Sequence, residues 1–280
     1  MVGVDLSDTD DRLVEHAIFW ANLFPECKKI ILFHNIRQEF LNDTLRLSEE
    51  SIKKLITNIF ASIQQRFKDQ LKDANLEFNI IVTFEPNSAR AILNTCQQND
   101  VQMIIMGKKR AGRGTGIIAQ SVLGSDVSKL KLLLIPFGKR PQLKSLVCSA
   151  ELSVTERPMF EWAKKLNQLS PTNKTCLHVY RLPMAYFPYI DENNTSLELT
   201  AQKRAMEKFK SFKKQLGLEE DQWELELKQG VNIAETLASY SKNHLIDLIL
   251  IMRSAKTGVG AKLGGNAKKI MRTSLDTPLL

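Results

Sequence analysis

Long apolar runs are missing from this chain. The longer ones, such as Ile30 to Phe33 and Leu248 to Met252, stop far short of the roughly 20 residues a membrane span requires, so no segment reads as an anchor. No charged-then-apolar leader opens the chain, and the expectation is a cytoplasmic protein with no membrane partner. Cysteine is sparse. Cys27, Cys96, Cys148 and Cys176 stand far apart, with no CxxC and no histidine pair nearby; they read as reduced core residues, which argues against a disulfide framework and against a metal site. Neither a G-x-S-x-G elbow nor a P-loop occurs, and the serines Ser121 and Ser125 have no sequence-visible base to activate them, so no catalytic residue is assigned. Aromatics make up only 7% of the residues. Trp20, Trp162 and Trp223 fall at core spacing and read as packing, whereas the segment Tyr180 to Tyr189 gathers aromatics and prolines without periodicity, as a cover over a sheet edge or a partner surface.

What is present is a globular composition, 43% hydrophobic and 25% charged, in a length of 280 residues that is ample for two domains. The net charge is +8, but bases alternate with acids through the long helical stretches, which argues against a nucleic-acid track. The exceptions are Lys139-Arg140 and one loop. From Val101 to Pro136 an apolar run (Met103 to Met106) meets Gly107, then a loop of glycines and bases. Apolar positions at helical spacing follow (Ile117, Ile118, Val122, Val127, Leu130), and then a second apolar run. This reads as strand, glycine loop, helix, strand. Gly112, Gly114 and Gly116 leave backbone N–H groups uncovered ahead of a helix N-terminus, and Lys108, Lys109, Arg110 and Arg113 add cations, so the expected ligand is an anion, above all a phosphate. Equally, the loop could be a plain βα turn with solvated lysines.

Taken in order, the first half alternates strand and helix. A short strand ends at Asp5, and Ser7, Asp8 and Thr9 offer caps for a helix carrying Leu13, Ala17, Trp20 and Phe24. A strand from Lys28 to Asn35 and a helix from about Leu47 to Lys72 follow, then a strand from Glu77 to Phe84 and a helix from Ser88 to Gln98. Apolar strands separated by helices imply a parallel sheet covered on both faces, with ligands held beyond the carboxyl ends of the strands. After a linker at Phe137 to Pro141 the pattern repeats: Leu146 to Glu151 answers Val2 to Asp5, His178 answers His34, and Gly258-Val259-Gly260 with Gly264-Gly265 answers the glycine loop. The two histidines read as hydrogen-bonded members of the sheet layer rather than as catalytic groups. The fold class expected is α/β, two tandem doubly wound open parallel sheets of five strands each, at residues 1–140 and 141–280, the second with a degenerate loop and a truncated last strand.

Val4-Asp5-Leu6-Ser7, the strand Ile30 to Ile36, and Gly114 followed by nine residues and then Gly124-Ser125 together resemble the universal stress protein family, in two tandem copies. Ala111 stands where that family's G-x2-G-x9-G-(S/T) motif has its first glycine. The resemblance implies a Rossmann-like, adenine-nucleotide alpha-hydrolase-like fold and a stress-response or regulatory role. It also implies ATP, with Mg²⁺, as ligand. Carried over by position, Asp5 meets the ribose, Asn35 or Ile36 the adenine, and Gly107, Gly112, Gly114, Gly124 and Ser125 the phosphates. Two alternatives remain: an interaction scaffold that acts through dimerisation and protein partners without nucleotide, and a slow ATP hydrolase. The family's dimers imply that the two copies pair through Leu132 to Pro136 and the Pro278 to Leu280 fragment, with a further homodimer open. Nucleotide is expected in the first copy only, because Glu151 replaces Asp5 and Gly265-Asn266 replaces Gly124-Ser125.

Overall fold

The computed structural model of the chain describes residues 1–37, 48–72, 76–108, 117–125, 130–181, 195–253, 265–273 and 275–280, with backbone only for 195–198. These residues fall into two compact units. The first holds Met1–Gln142 and Pro278–Leu280, and the second holds the described parts of Leu143–Lys256 and Gly264–Thr277.

In the first unit the strands are β1 (Val2–Gly3), β2 (Lys29–Ile36), β3 (Glu77–Phe84), β4 (Met103–Lys108) and β5 (Lys131–Pro136), and the helices are α1 (Asp10–Leu23), α2 (Glu49–Lys72), α3 (Ser88–Gln98) and α4 (Ile117–Leu123). The sheet order is β3-β2-β1-β4-β5, all parallel. β1 is short but central, with Val2 opposite Leu32 on one side and Ile105 on the other. Ile30 to Phe33 in β2 and Leu132 to Ile135 in β5 are buried continuously, as strands covered on both faces must be. Helix α2 buries only Ile63, Phe67 and Leu71, one residue per turn, which leaves its other faces solvated. Strand order reverses between β1 and β4, so the crevice beyond their carboxyl ends is the place where a doubly wound sheet receives a ligand.

The second unit contains β6 (Ser145–Ser149), a 3₁₀ turn (Val154–Glu156), α5 (Arg157–Leu169), β7 (Asn173–Tyr180), α6 (Thr195–Leu216), β8 (Glu224–Gln229), α7 (Ile233–Asn243), β9 (Leu248–Ile251) and α8 (Gly265–Arg272). Its parallel sheet runs β8-β7-β6-β9. Four strands rather than the expected five are present among the described residues. The tripeptide that would begin a fifth belongs instead to the first unit, where Leu279 and Leu134 form an antiparallel bridge and exchange N–H···O bonds of 2.8 and 3.0 Å. The cause lies in β5: it is an edge strand with outward-facing backbone groups, and a short segment suffices to satisfy one residue's pair.

Two local expectations also change. Helix α4 ends at Leu123, and Val127, expected at helical spacing, lies outside the described residues. Thr9 stands at the N-cap of α1 without a side-chain cap bond; its hydroxyl is 2.7 Å from that of Ser7. Lys109–Gly116, with Gly112 and Gly114, lie outside the described residues. So do the aromatic segment from residue 182 onward and residues 254–264.

Candidate functional site

The loop after β1 is shaped by a buried carboxylate. Val4 continues the sheet, donating its N–H to the Phe33 carbonyl at 2.9 Å; Asp5 then lies exposed beyond the strand end. Leu6 turns the chain with φ of 65°, a region that costs a non-glycine residue about 1–2 kcal/mol. Asp10, at the start of α1 and only 1% exposed, holds this turn by accepting the N–H groups of Asp5 at 3.2 Å and Leu6 at 2.7 Å. Burial pushes its carboxyl up to about 6, and the two N–H donors offset only part of that desolvation. Asp5 Oδ1 in turn accepts the Ser7 N–H at 3.2 Å. From α2, Arg66 reaches the same loop, donating to the Ser7 carbonyl at 2.9 Å and pairing with Asp11 at 2.9 Å. Asp10 escaped the sequence reading because an acid in a first helical turn reads as a dipole partner; the accessible signal was its place five residues after a strand-ending Asp.

Gly107 lies on β4 beside this loop, because the Val2 to Ile105 register carries β4 past the end of β1. A Cβ built on Gly107 would meet Thr9 Oγ1 at 3.9 Å and Leu13 Cδ1 at 3.6 Å, ordinary contacts. Asp5 and Gly107 are thus brought to one crevice. Asn35 stands one strand away and is committed to structure. Its Oδ1 accepts from Thr83 Oγ1 at 2.7 Å and the Glu85 N–H at 3.1 Å, and its Nδ2 donates to the Glu85 carbonyl and Ser88 Oγ, both at 3.0 Å. The Ile36 carbonyl accepts the Glu85 N–H at 3.2 Å. Gly124 and Ser125 follow the last turn of α4: the Gly124 N–H bonds the Gln120 carbonyl at 2.8 Å and Ser125 Oγ donates to the Ser121 carbonyl at 3.0 Å. They therefore sit at the negative end of that helix, and only five residues separate Ser125 from β5. Histidine is structural in both units, as expected. His34 Nδ1 donates to the Val4 carbonyl at 2.9 Å and His178 Nδ1 to the Ala150 carbonyl at 2.8 Å.

The loop after β6 repeats the first loop's contacts with other residues. Leu152 has φ of 59°, and Glu156 accepts the N–H groups of Glu151 at 2.9 Å and Ser153 at 3.1 Å. Burial raises the Glu156 carboxyl above its ordinary range. Glu151, however, reaches away from its own loop, and its Oε1 accepts from Asn266 Nδ2 at 3.2 Å. Around this pair lies a cavity of about 260 Å³, bounded by the ends of β6 and β9 and the start of α8. Among the described residues no group of three or more His, Cys, Asp or Glu could hold a metal ion, and no helix is long and apolar enough to cross a membrane.

Two parallel sheets with helices between their strands, and a ligand crevice at the β1/β4 reversal of the first, define an α/β protein of the doubly wound class. Residues 1–129 match the Universal stress protein family. Three solved structures share the fold. A universal stress protein from Archaeoglobus fulgidus is 15% identical, with a TM-score of 0.67 over 100% of this chain and 94% of that one. A Pseudomonas aeruginosa protein named provisionally as a universal stress protein is 12% identical, with a TM-score of 0.65 over 99% and 89% of the two chains. A protein of unknown function from Pseudomonas aeruginosa is 11% identical, with a TM-score of 0.60 over 89% and 80%. Among curated proteins none matches the sequence.

Proposed function

We propose that the chain is a stress-response regulatory protein of two tandem stress-protein-like units, and that the first binds an adenine nucleotide such as ATP without catalysing a reaction on it. The observation that carries the reading is the juxtaposition of Asp5 and Gly107 across the β1/β4 reversal, within the residues that match the family. An exposed carboxylate there accepts ribose hydroxyls, and a glycine leaves its backbone open to close approach. The tandem reading is supported by paired contacts in the two units: Asp10 and Glu156 on the first loops, His34 and His178 on neighbouring carbonyls, and Asn87 and Asn232 as side-chain N-caps of α3 and α7.

The nucleotide-free scaffold is the second reading, and one observation favours it. Asn35, Ile36, Gly124 and Ser125 all spend polar groups on protein partners. Calorimetric titration of the full chain with MgATP separates the two, together with chromatography of nucleotide released from the purified protein. The expected result is one nucleotide per chain, with Asp5→Ala weakening binding about tenfold, the effect of a lost charge-assisted bond. No released nucleotide and no heat of binding would leave the scaffold.

A further inference from the structure

We infer that the free edge of β3 pairs antiparallel with the same strand of a second copy of this chain, about a two-fold axis at Ile81. The inference is independent of nucleotide binding, and it uses the edge of the sheet opposite β5, which Leu279 already covers. Glu77 and Glu85 donate their N–H groups inward, to the Lys28 and Ile36 carbonyls at 3.2 Å each. By the alternation of a strand, Phe78, Ile80, Val82 and Phe84 therefore direct their N–H and C=O groups outward. Among the described residues nothing bonds those groups, and an unpaired row of this kind is a template for another strand.

The side chains leave the edge open. From Phe78 to Phe84 none is charged, and of these residues only Ile80 is buried. The equivalent edge of the second unit is protected instead: β8 carries Glu224, Glu226 and Lys228, with Lys228 paired to Glu226 at 3.2 Å. Self-complementarity names the occupant. With Ile81 opposite the partner's Ile81, Phe78 stands opposite the partner's Phe84 and Ile80 opposite the partner's Val82, and these are the residues whose backbone groups point outward. Asn79 meets the partner's Thr83; the Thr83 hydroxyl donates its proton to Asn35 Oδ1 at 2.7 Å, and its oxygen still accepts from an amide. Other registers lose these matches. Centring on Ile80 sets Asn79 against Ile81, and centring on Val82 sets Ile81 against Thr83 and Phe78 against Pro86, which has no N–H. At the ends Glu77 lies opposite the partner's Glu85, a repulsive pair by itself. Lys29 already bonds Glu77 at 3.5 Å, and the β2–β3 register carried one residue past Phe84 sets Arg37 beside Glu85, so the row across the joined sheets balances in charge. A two-fold axis makes each match twice. One strand pair is still a small interface, so the association is reversible.

Sedimentation equilibrium of the full chain tests this. The expected result is a concentration-dependent equilibrium of monomer and dimer, weakened at least about tenfold by Ile81→Lys, which sets two cations directly opposite each other. Crosslinking fixes the register. Directly opposed residues that share no hydrogen bond lie about 4.5 Å apart at Cα, within disulfide reach. Cys27 is not fully buried, so the background is Cys27→Ser. There Ile81→Cys should give a covalent dimer with a mild oxidant, whereas Asn79→Cys, about 14 Å from its own copy, should not. Thermal unfolding checks that each variant is folded; if Ile81→Lys is not, the two cysteine variants decide. A chain that stays monomeric up to its solubility limit would overturn the inference. So would a dimer that folded Ile81→Lys leaves intact, no crosslink in Ile81→Cys, or crosslinking of Asn79→Cys as readily as Ile81→Cys.

Discussion

Leu6 and Leu152 adopt the same left-handed backbone at the same turn, yet Leu6 is 40% exposed and Leu152 only 5%. Glycine relieves about 1–2 kcal/mol of strain at either place and returns about 0.5–1 of it as chain entropy. Burial therefore decides the sign. Leu6→Gly should leave stability within about 1 kcal/mol of the native chain, whereas Leu152→Gly should lose about 2–4 kcal/mol through its emptied site; urea unfolding of both variants checks this. Asp10 gives a second prediction at this scale. Its folded carboxyl titrates near 6 against an ordinary 3.8, so between those values the native state binds more protons than the unfolded one, and stability falls as pH rises. Asp10→Asn removes that titration. The stability of the native chain relative to Asp10→Asn should decline from about pH 4 to about pH 6 and then level, as denaturant midpoints across that range would show.

Among the elements, the carboxyl end of β2 is tied to β3 and α3 chiefly through Asn35, with four hydrogen bonds on one amide. Asn35→Ala should cost about 1–3 kcal/mol, because Thr83 Oγ1 loses its acceptor and the Glu85 N–H keeps only the Ile36 carbonyl, and faster amide exchange at Glu85 would report it. If the side chain touched only a ligand, exchange in the free protein would not change. Gly124-Ser125 has the sequence spacing of a phosphate motif and directly follows the C-terminal end of helix α4 at Leu123. A Cβ at Gly124 would lie 3.0 Å from the Gln120 carbonyl. Gly124→Val therefore strains the helix end and does not test phosphate approach in isolation, while Ser125→Ala removes the bond to the Ser121 carbonyl without that strain.

For the whole molecule, the informative contact is the last one in the chain. Leu279, 2% exposed, pairs with Leu134 on the edge of β5, so the first unit is completed by residues that follow the second in sequence. Leu279→Pro removes the N–H that Leu134 accepts. It should lower the stability of the first unit by about 1–3 kcal/mol, read as faster exchange at Leu134 and as a shift toward self-association in sedimentation, because the edge is then uncovered.

The alternation of strands and helices was legible in the sequence because buried parallel strands are continuous apolar runs and amphipathic helices carry a regular period. β3 at Glu77–Phe84 and α3 at Ser88–Gln98 begin and end where the pattern places them. The strand-ending Asp5 and the β4 glycine were legible for the same local reason, as were the paired histidines. What the sequence could not decide was where polar groups spend their hydrogen bonds. Asn35 looks free for a ligand until β3 and α3 close on it, and Asp10 looks like a dipole partner until burial turns it inward. Glu151 looks like a misplaced ligand group until α8 brings Asn266 to it from 115 residues away. Periodicity is a property of neighbours in the chain, and the tertiary structure alone decided these partners because they are set by elements distant in sequence.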